Sequence, residues 1–406
     1  MVLSRHFYSV DEVHAALYYT SYRVEYKETL FWCKELLCSG YSSETISTLF
    51  EAWIWQRGSF HLQWLIEAWN TLSGDEITED AILLSAYQLS TCSKRDNSLW
   101  NILVLTMDDT IPDHVTPRSP ASFPSDNPKE IYFIRALYQG KTKCAWWISR
   151  YFIEDRVWWL LKWYVSNVLC NKPEYELCLT IFQQYERLLG YRTEEYDVII
   201  RCLAIITFST TYNTSTFNPL PAMDPRYMSV VHEWNQCEGR MERRIYSIPS
   251  ACLYSTRRGY LGWSQQNTVE LNYVENGLIG CPFWDQVLEE YSTIENGKIQ
   301  WLSDDLMEDF YELYFPDDIP DEWTKKEKQK SHGDGIRNPE ENITLLKYAR
   351  LYLSRGSRLS WNTNADVHRI ITGIKDCNPC VIIKEFKTPK DILDSELAPR
   401  KKRVMI

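Results

Sequence analysis

Apolar residues recur at helical spacing through most of the first 208 residues of the chain. Two segments carry them at positions i, i+3, i+4 and i+7: Ile46, Leu49, Phe50 and Trp53, and then Leu62, Leu65, Ile66 and Trp69. This spacing places the apolar side chains on one face of an α-helix. A capping box at Ser9 and Glu12 and a glycine at Gly40, just past an apolar stripe, mark helix ends. The pattern therefore predicts a mainly α fold.

The helical pattern is interrupted twice, and the interruptions indicate the domain organisation. Prolines and acidic residues crowd residues 108–129, which we interpret as a Pro-rich linker. The linker separates helical block 1 (residues 1–107) from helical block 2 (130–208). Short apolar stretches among turn residues then favour a smaller mixed α+β C-terminal domain at 209–395, followed by a basic tail at 396–406.

The two helical blocks resemble each other weakly. An alignment at an offset of 115 residues pairs Phe31 and Trp32 with Trp146 and Trp147, and a four-residue gap is needed after it. One interpretation is a degenerate duplication of paired helices, in which each unit buries its apolar face on a neighbour. The other is the shared appearance of any two helical hairpins, and the sequence leaves both open.

Four helices are predicted within the C-terminal domain, of which the last two are a short one capped at Thr324 and one over Asn342–Ser354. The first begins near Asp285. The second begins near Ser303 and ends near Tyr314, with Asp304 and Asp305 in its first turn. Acidic residues are favourable there because the helix dipole places positive charge at the N-terminus.

The net charge and the cysteine content limit the ligands and the cellular compartments that we expect for this protein. The 406 residues carry a net charge of −11, which argues against broad non-specific binding to nucleic acid. The 12 cysteines are irregularly spaced, and four of them fall within apolar helical patterns: Cys33, Cys144, Cys178 and Cys202. This usage indicates a reducing compartment. The first 14 residues lack an apolar signal segment, and the longest apolar run, residues 157–170, is too short to span a bilayer. We therefore expect an intracellular protein without membrane contact.

No motif for cofactor binding or catalysis is present in the sequence. The chain lacks G-x-x-x-x-G-K-[ST], G-x-G-x-x-G and the G-x-S-x-G elbow. His232 and Glu233 begin like a zinc-protease motif, but Gln236 stands where the second histidine is needed. Cys377 and Cys380 form a lone C-x-x-C. We predict no catalytic residue, no metal and no cofactor.

The densest group of candidate functional residues lies in residues 315–335. Two prolines stiffen this segment around one large aromatic side chain, and a histidine follows between serine and glycine. Conformationally fixed loops often carry function. The partner-binding candidates are Asp318, Asp321, Trp323, Lys330 and His332. The alternative interpretation is a segment that Trp323 pins to its domain and that has no role in binding.

The basic tail contains four consecutive cations: Arg400, Lys401, Lys402 and Arg403. Such a run is typical of a nuclear-localisation or nucleic-acid-binding patch, where it contributes modest, salt-sensitive affinity. A solvated tail without a role explains the run equally well.

Three short segments carry a resemblance to other proteins: Leu30–Leu37, Cys281–Trp284 and Phe315–Gly335. They resemble motifs in an uncharacterised protein family of nucleocytoplasmic large DNA viruses. Membership of that family would imply a viral protein found in the host cytoplasm or nucleus, or in the virion, and would imply no assigned activity.

Two further segments, Ala15–Tyr19 and Pro320–Trp323, are similar to stretches in the C-terminal helical region of RarA/MgsA-type AAA+ ATPases. That similarity implies a helical oligomerisation module linked to replication or clamp-loader work. The ATPase half is absent, because the chain has no phosphate-binding loop. No catalytic residue carries over from that family.

These observations favour a non-enzymatic helical scaffold that binds other proteins, viral or host, through aromatic grooves between its helices. A replication or repair accessory that contacts DNA weakly through Arg400–Arg403, or binds a clamp-loader-type partner, is the second hypothesis. An enzyme with a site near His332 is the third. Self-association into a homo-oligomer is compatible with each of them.

Overall fold

The computed structural model describes residues 2–6, 8, 10–96, 98–99, 102, 115–120, 123–189, 194–209, 217–236, 246, 249, 268–269, 277–314 and 336–337. Helices dominate these residues, which confirms the prediction of a mainly α fold. The helices of block 1 are α1 (Val10–Arg23), α2 (Tyr26–Cys38), α3 (Ser42–Gln56), α4 (Leu62–Leu72) and α5 (Glu79–Thr91). Those of block 2 are α6 (Pro128–Tyr138), α7 (Thr142–Ser149), α8 (Glu154–Val168), α9 (Pro173–Gln183), α10 (Glu186–Leu189) and α11 (Glu194–Phe208).

The helix ends follow the local chemistry of the chain. Thr78 caps α5, because its side chain accepts from the amide of Ala81. Asn127 caps α6 in the same way, and Pro128 occupies the first helical position, where a missing N–H costs nothing. Gly40 ends α2 with a φ of +88°, a conformation that favours glycine. The apolar stripe predicted over residues 46–53 is buried throughout.

Both helical blocks contribute to one hydrophobic core. The Trp53 ring of α3 lies 6.4 Å from the ring of Trp64 and 6.3 Å from that of Phe182 in α9. The hydroxyl of Ser47 donates to the carbonyl of Leu189 at 2.9 Å, so α10 is bonded to α3. The two blocks therefore share one continuous hydrophobic core.

The turns after α1 and α6 have the same backbone hydrogen bonds. The amides of Val24 and Glu25 donate to carbonyls three and five residues earlier, and so do the amides of Gly140 and Lys141. Val24 and Gly140 both have positive φ, 66° and 68°. Equivalent positions in these turns are 116 residues apart, one more than the offset predicted from sequence. Most of the helix pairs that lie side by side in block 1 also do so in block 2, with α1–α5 matched by α6, α7, α8, α9 and α11; the exceptions are α1 with α5 and α2 with α3.

The offset falls to 111 residues at α3 and α8. The buried residues of α3 match buried residues of α8 at this spacing: Ile46, Leu49, Phe50 and Trp53 against Val157, Leu160, Leu161 and Tyr164. Block 1 therefore has five residues more than block 2 from the start of its second helix to its third helix. They prolong α2 beyond the point where α7 ends, and we call residues Glu35–Ser39, the end of α2 with its C-terminal cap, the extra turn of α2.

Val24 is a β-branched residue in the left-handed region, where its glycine equivalent Gly140 is unstrained. We expect Val24→Gly to leave stability unchanged or raise it by up to about 1 kcal/mol, since relief of strain exceeds the added freedom of the unfolded chain. Gly140→Val should lower stability by about 1–2 kcal/mol. Urea denaturation of both variants checks this, and equal losses in the two would contradict it.

The remaining elements lie beyond residue 209. They are α12 (Met228–Gln236), β1 (Thr268–Val269), α13 (Pro282–Tyr291), β2 (Ser292–Glu295), β3 (Lys298–Trp301), α14 (Asp304–Tyr314) and β4 (Ile336–Arg337). Strand β1 pairs antiparallel with β4, and β2 with β3. The second predicted helix begins where expected, with the hydroxyl of Ser303 accepting from the amide of Leu306. The first begins three residues earlier than predicted, because Pro282 suits the first helical position. The third and fourth predicted helices lie outside the described residues.

A second, smaller hydrophobic cluster joins the N-terminal segment to residues 278–310. It consists of Leu3, Leu278, Cys281, Trp284, Leu288, Ile299 and Phe310. The N-terminal segment, residues 2–6, contributes to it and lies against the extra turn of α2, where the amide of Arg5 donates to the hydroxyl of Ser39. In the described part of the chain, no helix has both the length and the apolar character needed to cross a membrane.

Candidate functional site

Exposed apolar side chains cluster where α7 is followed by α8. Tyr151, Ile153 and Trp159 have 52%, 76% and 40% of their surface exposed. Seven large apolar side chains are exposed among the described residues, and these three fall within nine residues of one another. Concentrated exposed apolar surface marks sites that contact other molecules.

A groove of about 320 Å³ lies beside Trp159 at the start of α8. We call it the α8 groove, and its lining residues are Glu154, Asp155, Trp158, Trp159, Lys162 and Gln183. Trp158 is buried, and its Nε1 donates to Oε1 of Glu154 at 3.3 Å, which orients that carboxylate. Asp155, Trp159 and Lys162 follow one another at i, i+4 and i+7 and share the outward face of the helix.

The N-terminal end of α6 joins the groove to the exposed tyrosine. The Lys129 ammonium lies 5.0 Å from the centre of the Tyr151 ring. The next residue, Glu130, accepts two hydrogen bonds of 2.7 Å from the Arg156 guanidinium, which stacks 4.0 Å over the ring of Trp159. Tyr151 and Trp159 thus flank one helix end and form a continuous surface. The Arg156 side chain also holds the pKa of Glu130 below its ordinary value.

The equivalent surface of block 1 is covered. At the offset of 111 residues, Trp159 and Lys162 correspond to Thr48 and Glu51, which are only 4% and 5% exposed. Thr48 is bonded to His14 of α1, with 2.8 Å between its hydroxyl and Nδ1. The counterpart of α1 in block 2 is α6, which contacts α8 but leaves Trp159 and Lys162 exposed. The α8 groove is the uncovered counterpart of a buried face.

The rim of the α8 groove is acidic. Glu154 and Asp155 stand in the first turn of α8, where the helix dipole stabilises negative charge. Burial, and then the charge of Glu154, raise the pKa of Asp197 in α11 to about 6. Lys162 is the one cation among the six lining residues. This balance of charge favours a ligand that carries positive charge.

A second cluster of polar side chains surrounds the buried carboxylate of Glu35, in the extra turn of α2. Its Oε1 accepts from the hydroxyl of Ser4 at 2.5 Å and from the amide of His6 at 2.9 Å. Its Oε2 lies 2.6 Å from Nδ1 of His6 and accepts from Nε1 of Trp234 at 2.8 Å. Burial alone would raise the pKa of Glu35, but His6 and Ser4 outweigh it and hold that pKa below its ordinary value.

Serine, histidine and glutamate also form hydrolase triads, but the bonding of this cluster differs from a triad. In a triad the histidine binds the serine hydroxyl and removes its proton during attack. Here the hydroxyl of Ser4 donates to Glu35 instead, and both side chains are fully buried. The cluster therefore anchors the N-terminal segment and α12 to α2 and has no accessible nucleophile.

The cysteines within the apolar helical patterns are small buried groups, as predicted. Cys33, Cys144, Cys178 and Cys202 are fully buried and form no disulfide. Burial raises the pKa of the Cys178 thiol to about 12, so that thiol is not a nucleophile near neutral pH. Within the described ranges, no three histidine, cysteine or acidic side chains converge as metal ligands.

The candidate residues predicted from the sequence lie outside the described residues. They are Asp318, Asp321, Trp323, Lys330 and His332, the cations Arg400, Lys401, Lys402 and Arg403, and the pair Cys377 and Cys380.

Sequence reasoning missed the α8 groove. Trp158 and Trp159 stand in the longest apolar run, which predicts a buried helix. The position of Trp159 around the helix could have indicated the groove. It lies on the same face of α8 as Asp155, Lys162 and Ser166, which are polar and exposed. A large aromatic residue on a polar stripe indicates a binding surface.

No protein-family model, curated protein or solved structure matches this chain significantly. The resemblances to large-DNA-virus proteins and to AAA+ ATPases remain predictions, and the function must be argued from the site.

Proposed function

We propose that this protein is a non-enzymatic helical scaffold that binds another protein through the α8 groove. The observation that carries the proposal is Trp159, a large aromatic side chain exposed on a helix whose equivalent face in block 1 is buried. Tryptophan, tyrosine and arginine dominate the energetic centres of protein interfaces. All three residue types are present beside the α8 groove, as Trp159, Tyr151 and Arg156.

The surface is also preorganised for binding. Arg156 is fixed by two hydrogen bonds to Glu130, which in turn accepts from the hydroxyl of Ser125 at 2.6 Å. A ring held under a fixed guanidinium loses little side-chain entropy when a partner covers it. The groove volume of about 320 Å³ suits one or two anchoring side chains of a partner.

We test the proposal with a photo-crosslinking amino acid at position 159, introduced in cells that produce the protein. The control position is Leu313, an apolar residue of α14 that is 50% exposed. We expect one protein to cross-link from position 159 and not from position 313. That protein is then purified, and its affinity for the wild-type chain and for Trp159→Ala is measured by calorimetry.

Trp159→Ala should weaken binding by about 2 kcal/mol or more, roughly thirtyfold, as expected for an aromatic anchor. Its melting temperature should change little, because the side chain is exposed. Cross-linking that is equal at the two positions, or affinity that is insensitive to Trp159→Ala, would refute the proposal.

We further propose that the protein is viral, because three short segments resemble motifs of large-DNA-virus proteins. Two of these segments are described: Leu30–Leu37 lies in α2, and Cys281–Trp284 begins α13. The thiol of Cys281 lies 3.4 Å from the carbonyl of Ser39, just past the end of α2.

A further inference from the structure

We propose that the α8 groove is also the docking site of this chain's own basic segment, Arg400–Ile406, which competes with the partner protein for it. The inference concerns regulation of the groove, and it rests on the proposed function in treating the groove as a binding surface. The segment consists of four cations followed by Val404, Met405 and Ile406.

Each half of the segment matches one part of the groove. The acidic rim at Glu154 and Asp155 suits the cations, while the faces of Trp159 and the exposed Ile153 suit the apolar residues. Cations also bind directly over aromatic faces, and tryptophan is the best of them. One face of the Trp159 ring already carries the Arg156 guanidinium at 4.0 Å, so the cations of the segment are placed at the carboxylates and its apolar residues on the exposed part of the ring.

A further acidic side chain, Asp197, lies behind the rim together with the cation Arg201. The carboxylate of Asp197 faces Glu154, Tyr185 and Arg201, and the hydroxyl of Tyr185 donates to it. Lys162 lies one turn further along α8 than the acidic pair. A segment that places its cations at Glu154 and Asp155 therefore avoids Lys162. It does meet Arg156, but the charge of Arg156 is paired with Glu130, and the apolar residues of the segment can cover the exposed part of Trp159.

The chain is long enough for the segment to reach the groove. Residues 338–399 connect it to β4, and an extended stretch of that length spans roughly 200 Å. A compact chain of this size has a radius of gyration of about 20 Å. Tethering also makes docking intramolecular, so that even a weak peptide interaction occupies the groove appreciably.

The experiment uses a fluorescent peptide of residues 396–406 and the full chain lacking those residues, with binding followed by anisotropy. We expect saturable binding that weakens at least tenfold in the Glu154→Lys, Asp155→Lys double variant. The matched control is Asp304→Lys with Asp305→Lys, an acidic pair in the first turn of α14. That control should bind as the unmodified protein does, and Trp159→Ala should again weaken binding.

Competition is then measured in the full chain. Deleting residues 396–406 should increase the yield of partner cross-linked from position 159 several-fold. Absence of peptide binding, or equal loss in the two charge-reversal variants, would overturn the inference. Energy transfer between a label on the segment and a label on the groove should occur within one chain. Transfer that is seen only between labels on different chains would also overturn the inference.

The outcomes separate the two proposals. A partner that cross-links at position 159 equally with and without the segment leaves the proposed function standing and removes the regulation. A peptide that binds the groove while no partner cross-links there supports the docking site and removes the scaffold function.

Discussion

Replacing Glu35 by leucine is expected to lower the free energy of unfolding by about 3–5 kcal/mol. The substitution leaves the hydroxyl of Ser4, the amide and ring of His6 and the indole N–H of Trp234 without their common acceptor. Each of these groups would be desolvated without compensation. The loss should also free the N-terminal segment, since Glu35 is its main polar anchor.

Urea denaturation measures this loss, with Glu44→Leu as the control. Glu44 is an exposed residue of α3, so its replacement should change stability by less than about 0.5 kcal/mol. Glu35→Gln should lower the free energy of unfolding by an amount between those of Glu35→Leu and Glu44→Leu. Its amide oxygen can replace one carboxylate acceptor, but its amide nitrogen would face a group that is itself a donor. A Glu35→Leu variant as stable as the control would show that the carboxylate is not an anchor.

The Glu35 carboxylate also makes the free energy of unfolding depend on pH. Because the pKa of Glu35 is held below its ordinary value of 4.5, the unfolded chain binds the proton first as the pH falls. The stabilisation is therefore fully present above about pH 4.5 and is lost as the pH falls through the folded-state pKa. Glu35→Gln should lack this part of the acid loss, which parallel denaturation series at pH 3–7 would reveal.

Gly40→Ala is expected to lower stability by about 2–4 kcal/mol and to detach α13 from block 1. Gly40 has a φ of +88°, and an added Cβ would lie 2.6 Å from Cβ of Pro282. The variant thus combines backbone strain with a clash against the first turn of α13. Pro282 has to move for the alanine to fit.

Gly297→Ala is the control for strain alone, because its φ is +71° and its added Cβ meets no atom within 4 Å. The local measurement is alkylation of Cys281, which is fully buried beside Ser39 in the wild-type protein. We expect Cys281 to react much faster in Gly40→Ala than in Gly297→Ala. If the two variants react alike, Gly40 is not needed for the close approach of α13.

Much of the fold could be predicted because helical periodicity is a local property. The stripe from Ile46 to Trp53 and the start of α14 were found where the sequence placed them. The β2–β3 hairpin was not predicted, although Asn296 and Gly297 form the commonest two-residue hairpin signal. Its strands are only four residues long, too short for alternation to stand out.

The Glu35 cluster could not have been predicted, because its bonds join residues far apart in sequence. Ser4 and Trp234 are 31 and 199 positions from Glu35. A buried glutamate inside a helix resembles an exposed one until its partners are known. The register between the two blocks could not be fixed from the sequence for a similar reason, since side-chain identity is weak and the turns at Val24 and Gly140 suggest an offset one residue larger.

The extra turn of α2 has a consequence for stoichiometry. It gives block 1 a corner that the chain fills itself, with the N-terminal segment, Trp234 and the first turn of α13. The face of block 1 that corresponds to Trp159 is covered by α1, whereas block 2 leaves Trp159 exposed. Among its described residues, the protein therefore presents this surface once. We expect it to bind one partner per chain and to end an assembly at that point, instead of bridging two partners.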